Sequence, residues 1–236
     1  MRTFVRLART LFHGVYVFSL FCYVNNWFTT MEKNVIIFAN GEFPKHAVLQ
    51  EKLRNSGMII CCDGSVQKLL DFGIEPNFIV GDMDSISEEN KIKFEKILIV
   101  DENQDTNDLT KAVNFCIKNG IKTLEILGAT GEREDHTLGN ISLLANYADD
   151  FFSVKMFTDY GVFTPISQTT TFESFENQAV SIFSLTPETL ITSGGLAYTI
   201  KNRQFHSWWE GTLNRSLGKQ FTIEINSGKI IVFQEH

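Results

Sequence analysis

Two aspartates separated by one residue stand in the run Gly81-Asp82-Met83-Asp84-Ser85, directly after an apolar stretch ending at Val80. In a tight turn both carboxylates can reach a common point, and Gly81 permits close backbone approach. A second pair, Asp105 and Asp108, lies in Asn103-Gln104-Asp105-Thr106-Asn107-Asp108 at a predicted helix start, where a spacing of three puts both on one side of the first turn. Asp63-Gly64 follows another apolar run. Five carboxylates gathered without a cation would repel one another by roughly 4 kcal/mol per pair at about 4 Å and an effective dielectric near 20. A hard divalent cation removes that cost, and an all-oxygen donor set suits Mg²⁺ better than zinc. Taken singly, the same residues have structural uses: Asp105 or Thr106 can cap a helix, Asp108 can complement its dipole, and Asp63-Gly64 and Asp84-Ser85 can form turns. Their joint placement at successive strand ends favours chemistry.

The run Gly128-Ala129-Thr130-Gly131-Glu132-Arg133-Glu134-Asp135-His136-Thr137 leads from a strand into a helix. Its glycines allow the backbone to approach phosphate oxygens, and the coming helix offers its positive end. No Gly-Lys-Ser/Thr closes it, so it is not a Walker loop. Arg133 can neutralise charge on a transferred phosphoryl group, and Asp135 can bind metal or orient a donor. His136 stands at the helix start, where local hydrogen bonding is the plainer role.

The elements that must position these groups alternate. Short apolar runs at Val35 to Phe38, Met58 to Cys62, Phe78 to Val80, Ile97 to Val100, Leu124 to Leu127 and Phe152 to Phe157 read as buried strands. Between them Val66 to Phe72, Ile86 to Lys96, Asn107 to Lys118 and His136 to Ala148 carry helical spacing. The alternation predicts an α/β fold whose parallel sheet is covered on both faces, with ligands outside the carboxyl ends of its strands. Beyond Gly161 the helical spacing fades. Thr169 to Phe175, Ala179 to Leu185, Leu196 to Ile200, Phe221 to Ile225 and Ile230 to Phe233 predict an antiparallel second domain, with a turn at Asn226-Ser227-Gly228-Lys229. The expected division is an extension at 1–30, an α/β unit at 31–160 and a β unit at 161–236.

Residues 1–30 place Arg2, Arg6 and Arg9 before an apolar run from Leu11 to Val24. The run is shorter than the roughly 20 residues of a membrane-spanning helix, and no small-x-small cleavage site follows it. They are expected to be dispensable upstream sequence, with an interfacial anchor as the alternative. The 21 Lys+Arg against 28 Asp+Glu leave a net charge of −7, which repels a polyphosphate backbone and argues against nucleic-acid binding. Cys22, Cys61, Cys62 and Cys116 show no C-x-x-C spacing, so a reduced, cytoplasmic protein without a zinc site or disulfide framework is expected, and no membrane partner.

Four segments resemble thiamine pyrophosphokinases: Asp63-Gly64, Gly81 to Ser85, Gln104-Asp105-Thr106-Asn107-Asp108-Leu109-Thr110-Lys111-Ala112, and Gly128 to Asn140. The similarity runs from about Asn34 to the C-terminus. It implies conversion of ATP and thiamine to AMP and thiamine diphosphate with Mg²⁺, and a homodimer whose α/β catalytic domain precedes an antiparallel β-sandwich that binds thiamine and dimerises. It also implies that Asp82, Asp84, Asp105 and Asp108 surround the metal and triphosphate as catalytic residues, with Asp63 nearby. Gln104, Arg133, Asp135 and Asn140 would contact nucleotide, phosphate or the attacking alcohol. Gly195-Leu196-Ala197-Tyr198-Thr199-Ile200 and Gly211-Thr212-Leu213-Asn214-Arg215 resemble substrate segments of that family, so Tyr198 would stack on the pyrimidine ring and Asn214 would line the same site. Ala197, Thr199, Leu213 and Arg215 stand where the family has Lys, Pro, Ser and Glu. Trp208 and Trp209 suit a core or interface better than a ligand. The competing readings are diphosphate transfer to another hydroxymethyl heterocycle such as a pterin, and a noncatalytic sensor of Mg-ATP.

Overall fold

The computed structural model describes residues 34–236; the expectations for residues 1–30, Cys22 included, lie outside the described residues. Strands β1 (Val35–Phe38), β2 (Met58–Cys62), β3 (Phe78–Gly81), β4 (Leu98–Val100), β5 (Thr123–Leu127) and β6 (Ser153–Thr158) are mutually parallel in the order β6-β5-β1-β2-β3-β4. Successive side chains of a strand point to opposite faces, and β1 shows the result. Val35 and Ile37 pack with Leu109, Ala112 and Leu144 from helices α4 (Asp108–Lys118) and α5 (Glu134–Tyr147), whereas Ile36 and Phe38 pack with Leu49, Leu53, Val66 and Leu69 from α1 (Ala47–Arg54) and α2 (Val66–Asp71). With both faces covered, the strands read as the continuous apolar runs seen in the sequence. Helix α3 (Glu88–Lys93) joins β3 to β4, its start capped by the Ser87 hydroxyl, which accepts the Asn90 N–H.

At Asp159-Tyr160 the chain reverses into β7 (Gly161–Ile166), antiparallel to β6. Strands β9 (Ala179–Ser184), β11 (Asn214–Arg215) and β13 (Ile230–Glu235) then extend the same sheet to ten strands, in the order β11-β9-β13-β7-β6. A second sheet of β8 (Thr170–Glu173), β10 (Ile191–Gly194) and β12 (Gln220–Ile225) lies against this extension. Phe172, Ile191, Phe221 and Ile223 from the small sheet meet Val180, Ile182, Ile230 and Val232 from the large one in a single core, the packing of a β-sandwich. The expected α/β half followed by a β-sandwich half is what the chain forms, joined by one continuous sheet. Strand β13 serves both halves: Ile230 and Val232 enter the sandwich core, while Ile231 faces the α/β core. Among the described residues no helix is long and apolar enough to cross a membrane.

Several local features differ from the sequence reading, the unexpected strands β10 and β11 among them. Helix α1 was not among the expected helices, and His46 at its start makes no side-chain cap. The Asp159 carboxylate, from the β6–β7 turn, instead accepts the backbone N–H groups of Lys45 at 2.9 Å and His46 at 2.9 Å. Strand β7 was not among the expected strands, and it contains Pro165, which lacks an N–H for a sheet ladder. Its register with β6 ends at Phe163 while pairing with β13 continues past Pro165, so the missing N–H lies beyond the β6 ladder. Leu196 to Ile200 is not the expected strand. Leu196 and Ile200 are buried anchors four residues apart with three exposed residues between them, a spacing that follows the turn at Gly195, φ +79°.

Candidate active site

From β1 the chain steps outward through β2, β3 and β4, then returns on the other side of β1 as β5. Where strand order reverses in this way, the loops leaving the two strands part and open a crevice. A cleft of about 330 Å³ lies there, lined by Asn40, Gly41, Asn107, Gly131, Arg133 and Asn140 among others. Gly41 is required by contact: a Cβ would lie 2.4 Å from the Thr130 carbonyl oxygen and 2.6 Å from that of Gly128. Asn140 ties the walls together. Its Nδ2 donates to the Ala129 carbonyl at 2.8 Å, and its Oδ1 accepts from Asn107 Nδ2 at 3.1 Å, while Asn107 Oδ1 caps α4 by accepting the Thr110 N–H at 2.9 Å.

Beside the cleft three carboxylates converge, with one oxygen each from Asp63, Asp82 and Asp84 all within 4.8 Å of one another. Asp82 and Asp84 flank Met83, which adopts φ +67° with its side chain buried. That left-handed conformation is uncommon for a non-glycine residue. Asp82 Oδ1 accepts the Asp84 N–H at 3.2 Å, closing the turn, and Ser85 Oγ donates to Asp84 Oδ1 at 2.8 Å. Asp63, at the end of β2, is 1% exposed. Its Oδ1 accepts the Gly64 N–H at 2.6 Å, but its Oδ2 is buried and without a hydrogen-bond partner. A Cβ on Gly81 would stand 2.6 Å from Asp63 Cγ, so only glycine lets β3 pass this carboxyl.

Burial, and then the negative charges of Asp108 and Asp82, push the Asp63 carboxyl above its ordinary range. Asp82 is pulled down to about 2, first by the Asp84 N–H and then by Gln104 Nε2, which donates to its Oδ2 at 3.2 Å. Buried polar groups are nearly always satisfied. Three carboxylates within reach of one another, one of them carrying an orphaned buried oxygen, form an oxygen donor set fitted to a hard divalent cation.

The remaining expected residues fall around this centre. Asp108 opens α4, and its Oδ1 accepts from Lys111 Nζ at 3.0 Å; the same ammonium donates to Asp82 Oδ2 at 3.2 Å. Asp105 lies on the exposed loop before α4, where its N–H donates to Asn103 Oδ1 at 2.9 Å; among the described residues its carboxylate joins none of the contacts above. Arg133 lies on the rim, paired through Nε with Asp135 Oδ1 at 3.1 Å, and this partner holds the Asp135 carboxyl at about 2. His136 lines the cleft.

Two lysines were passed over by sequence reasoning. Lys111 carried a signal, its spacing of three from Asp108 on the helix. Lys68 carried none: it crosses from α2 to donate to the Gly41 carbonyl at 2.8 Å and Glu132 Oε1 at 2.7 Å, contacts that only folding creates.

Tyr198 and Asn214 lie at the opposite end of the large sheet. Asn214 is 5% exposed and acts as a clamp: its Oδ1 accepts the N–H groups of Tyr198 at 3.0 Å and Arg215 at 2.9 Å, and its Nδ2 donates to the Tyr198 carbonyl at 2.7 Å. The Tyr198 ring is presented to solvent, as are Trp209, Leu213 and Leu217. Trp208 sits edge-on to Phe183, with ring centroids 5.9 Å apart.

An open α/β sheet with a glycine-walled cleft and converging acids at its switch point, continued into a β-sandwich, defines a two-part α/β protein with a candidate site at its carboxyl edge. Comparison with known proteins specifies the family. Residues 49–157 match the model of the thiamin pyrophosphokinase catalytic domain, and residues 161–233 match that of the thiamin pyrophosphokinase substrate-binding domain. The chain belongs to the thiamin pyrophosphokinase family. It is 31% identical to thiamine pyrophosphokinase 1 of Oryza sativa subsp. japonica over 140 residues, 48% of this chain and 52% of that one. It is 27% identical to thiamin pyrophosphokinase 1 of Caenorhabditis elegans over 184 residues, 72% of this chain and 75% of the other. The match thus spans about half the length of the rice relative. The fold is shared with the crystal structure of thiamine pyrophosphokinase from Bacillus subtilis, at a TM-score of 0.71 and 23% identity over 86% of this chain and 99% of that one. Thiamin pyrophosphokinase from Candida albicans gives a TM-score of 0.71 at 20% identity, over 86% of this chain and 89% of the other. Neither pterin-directed transfer nor a noncatalytic sensor gains support from these relatives.

Proposed function

We propose that this chain transfers the diphosphate of ATP to the hydroxyethyl group of thiamine, releasing AMP. The observation that carries the reading is the convergence of Asp63, Asp82 and Asp84, with an orphaned oxygen, beside a glycine-walled cleft at the sheet's switch point. Residues 31–160 would form the catalytic, ATP-binding and Mg²⁺-binding unit, and 161–236 the thiamine-binding and dimerisation unit. Asp63, Asp82 and Asp84 would hold Mg²⁺, with Asp105 and Asp108 completing the acidic surround. The ion would supply charge neutralisation for the phosphate chain.

The alcohol oxygen of thiamine forms a bond to the β-phosphorus while the bond from that phosphorus to the α,β-bridging oxygen breaks, and AMP leaves with the electron pair. The alcohol proton goes to a carboxylate. Asp135, held at about 2 by Arg133, is a weak base. Asp108 lines the cleft and is the better-placed acceptor. Gln104 and Asn140 would orient the nucleotide and phosphates, and Arg133 on the rim would meet charge on the leaving group.

Tyr198 and Asn214 would bind the thiamine rings. They lie next to β11, eight strand positions from β3, or about 38 Å along the sheet at the usual spacing of about 4.8 Å. One chain therefore does not bring its own Tyr198 to its own acids, which supports a homodimer in which thiamine on one subunit faces the phosphates of its partner. The exposed Tyr198, Trp209, Leu213 and Leu217 support the same association. Cytoplasmic residence is supported by the free, buried thiols of Cys61, Cys62 and Cys116.

Phosphorus NMR of the purified protein with ATP, Mg²⁺ and thiamine should show AMP and thiamine diphosphate rising together. ADP as the product would overturn the proposed point of attack.

A further inference from the structure

Lys111 has a place in the molecule that a surface lysine three residues after an aspartate would not have. Its side chain is 2% exposed, against 18% for Asp82 and 37% for Asp108, the two carboxylates that it bridges. Burying an ammonium is costly unless it is paired and hydrogen-bonded. Here the pairing joins two separate pieces of chain, the turn after β3 and the first turn of α4. Asp82 Oδ2 is also held by Gln104 from a third segment. Asp82 is therefore held by its own turn only through Oδ1, whereas its Oδ2 is set from outside that turn, and Lys111 is the buried one of the two donors that set it.

We propose that Lys111 is the positioning residue of this site, a buried ammonium that keeps an Asp82 oxygen within reach of Asp63 and Asp84 and holds Asp108 at the cleft. The proposal rests on the reading of those three carboxylates as a divalent-cation site. It makes a prediction that runs against simple charge counting. Removing a positive charge beside an acidic cluster should tighten cation binding if charge alone matters. If position matters, binding should weaken.

The test is a Mn²⁺ titration of the full chain, followed by the paramagnetic resonance of the free ion, together with turnover measured as AMP release. Lys111→Met should fold, because Asp82 and Asp108 are both open enough to be rehydrated. It is expected to bind Mn²⁺ at least about fivefold more weakly and to lose at least about tenfold in kcat, with KM for thiamine within about twofold. Lys111→Arg, which keeps the charge and two donors, should recover part of both. Equal or tighter Mn²⁺ binding by Lys111→Met overturns the proposal, as does a thiamine KM effect without a kcat effect. Should Lys111→Met not fold, Lys111→Gln replaces it; failure of both to fold makes the residue structural and also overturns the proposal. A wild-type chain that binds no Mn²⁺ would instead sink the cation-site reading itself, and this inference with it.

Discussion

The two ends of the ten-stranded sheet leave different kinds of group unsatisfied. Around the acid cluster at the parallel end the loose groups are polar: Asp63 Oδ2 is buried without a partner, three carboxylates crowd together, and Met83 is held at φ +67° to keep two of them on one turn. Around Tyr198 at the antiparallel end the Asn214 side chain makes all three of its contacts inside the chain, and the loose groups are apolar: Tyr198, Trp209, Leu213 and Leu217 face solvent. Unmet hydrogen-bonding capacity points to a missing ion or substrate. Unmet apolar surface points to a missing partner. The contrast explains why Asp82 and Asn214, both polar residues on matched motifs, have different expected phenotypes.

The sharpest way to break this contrast is Asp82→Asn. The change keeps the size of the side chain and removes the charge that the Asp84 N–H and Gln104 stabilise, so AMP formation should fall by at least about 100-fold, or about 2.7 kcal/mol of barrier, with a normal thermal unfolding profile. Near-normal turnover with unchanged Mg²⁺ dependence would remove this end of the sheet from the chemistry. Next in size is Asn214→Ala, which leaves the part-buried Tyr198 and Arg215 backbone groups without partners and should destabilise the fold by about 1 to 2 kcal/mol. Tyr198→Ala should leave stability unchanged and raise KM for thiamine. Denaturant unfolding of the pair decides whether Asn214 is a clamp: equal stability of the two variants would place it in ligand contact instead.

The smallest effect has the least intuitive sign. Asp63→Asn removes a buried charge with an unpaired oxygen, so the metal-free protein should become more stable at neutral pH, by about 1 kcal/mol, while the stabilisation conferred by added Mg²⁺ is lost. A carboxyl whose folded pKa lies above its unfolded value favours the fold below the ordinary carboxylate range and loses that contribution as pH rises through the folded value. The advantage of the variant should therefore shrink as pH falls toward 4. Thermal melts across that range would contradict the assignment if the wild type gained nothing relative to the variant on acidification.

The strands of the parallel half were legible because each is buried on both faces, which forces near-continuous apolar runs that no helix of that length would show. The acids at their ends followed from topology, since parallel strands place their carboxyl ends on one edge. Less was legible where the deciding group is distant in sequence. Helix α1 begins where it does because Asp159 supplies the cap from more than a hundred residues away. Leu196 to Ile200 carries apolar residues at intervals that resemble a strand, yet Gly195 turns the chain and Asn214 holds it as an irregular segment. Strand β7, Pro165 included, pairs with β13 from the far end of the chain, a partner that local spacing does not announce.

By itself the sequence determined the order of elements, the parallel-then-antiparallel division and the residues able to carry charge chemistry, because periodicity and strand-end composition are local properties read over a few residues. Tertiary structure alone decided that Asp63, rather than Asp105, joins Asp82 and Asp84, that Lys111 bridges two loops from a buried position, and that the sandwich continues the parallel sheet instead of standing apart. Each of those outcomes depends on how far apart residues come to lie after strands pair and helices dock, and no spacing along the chain encodes that distance.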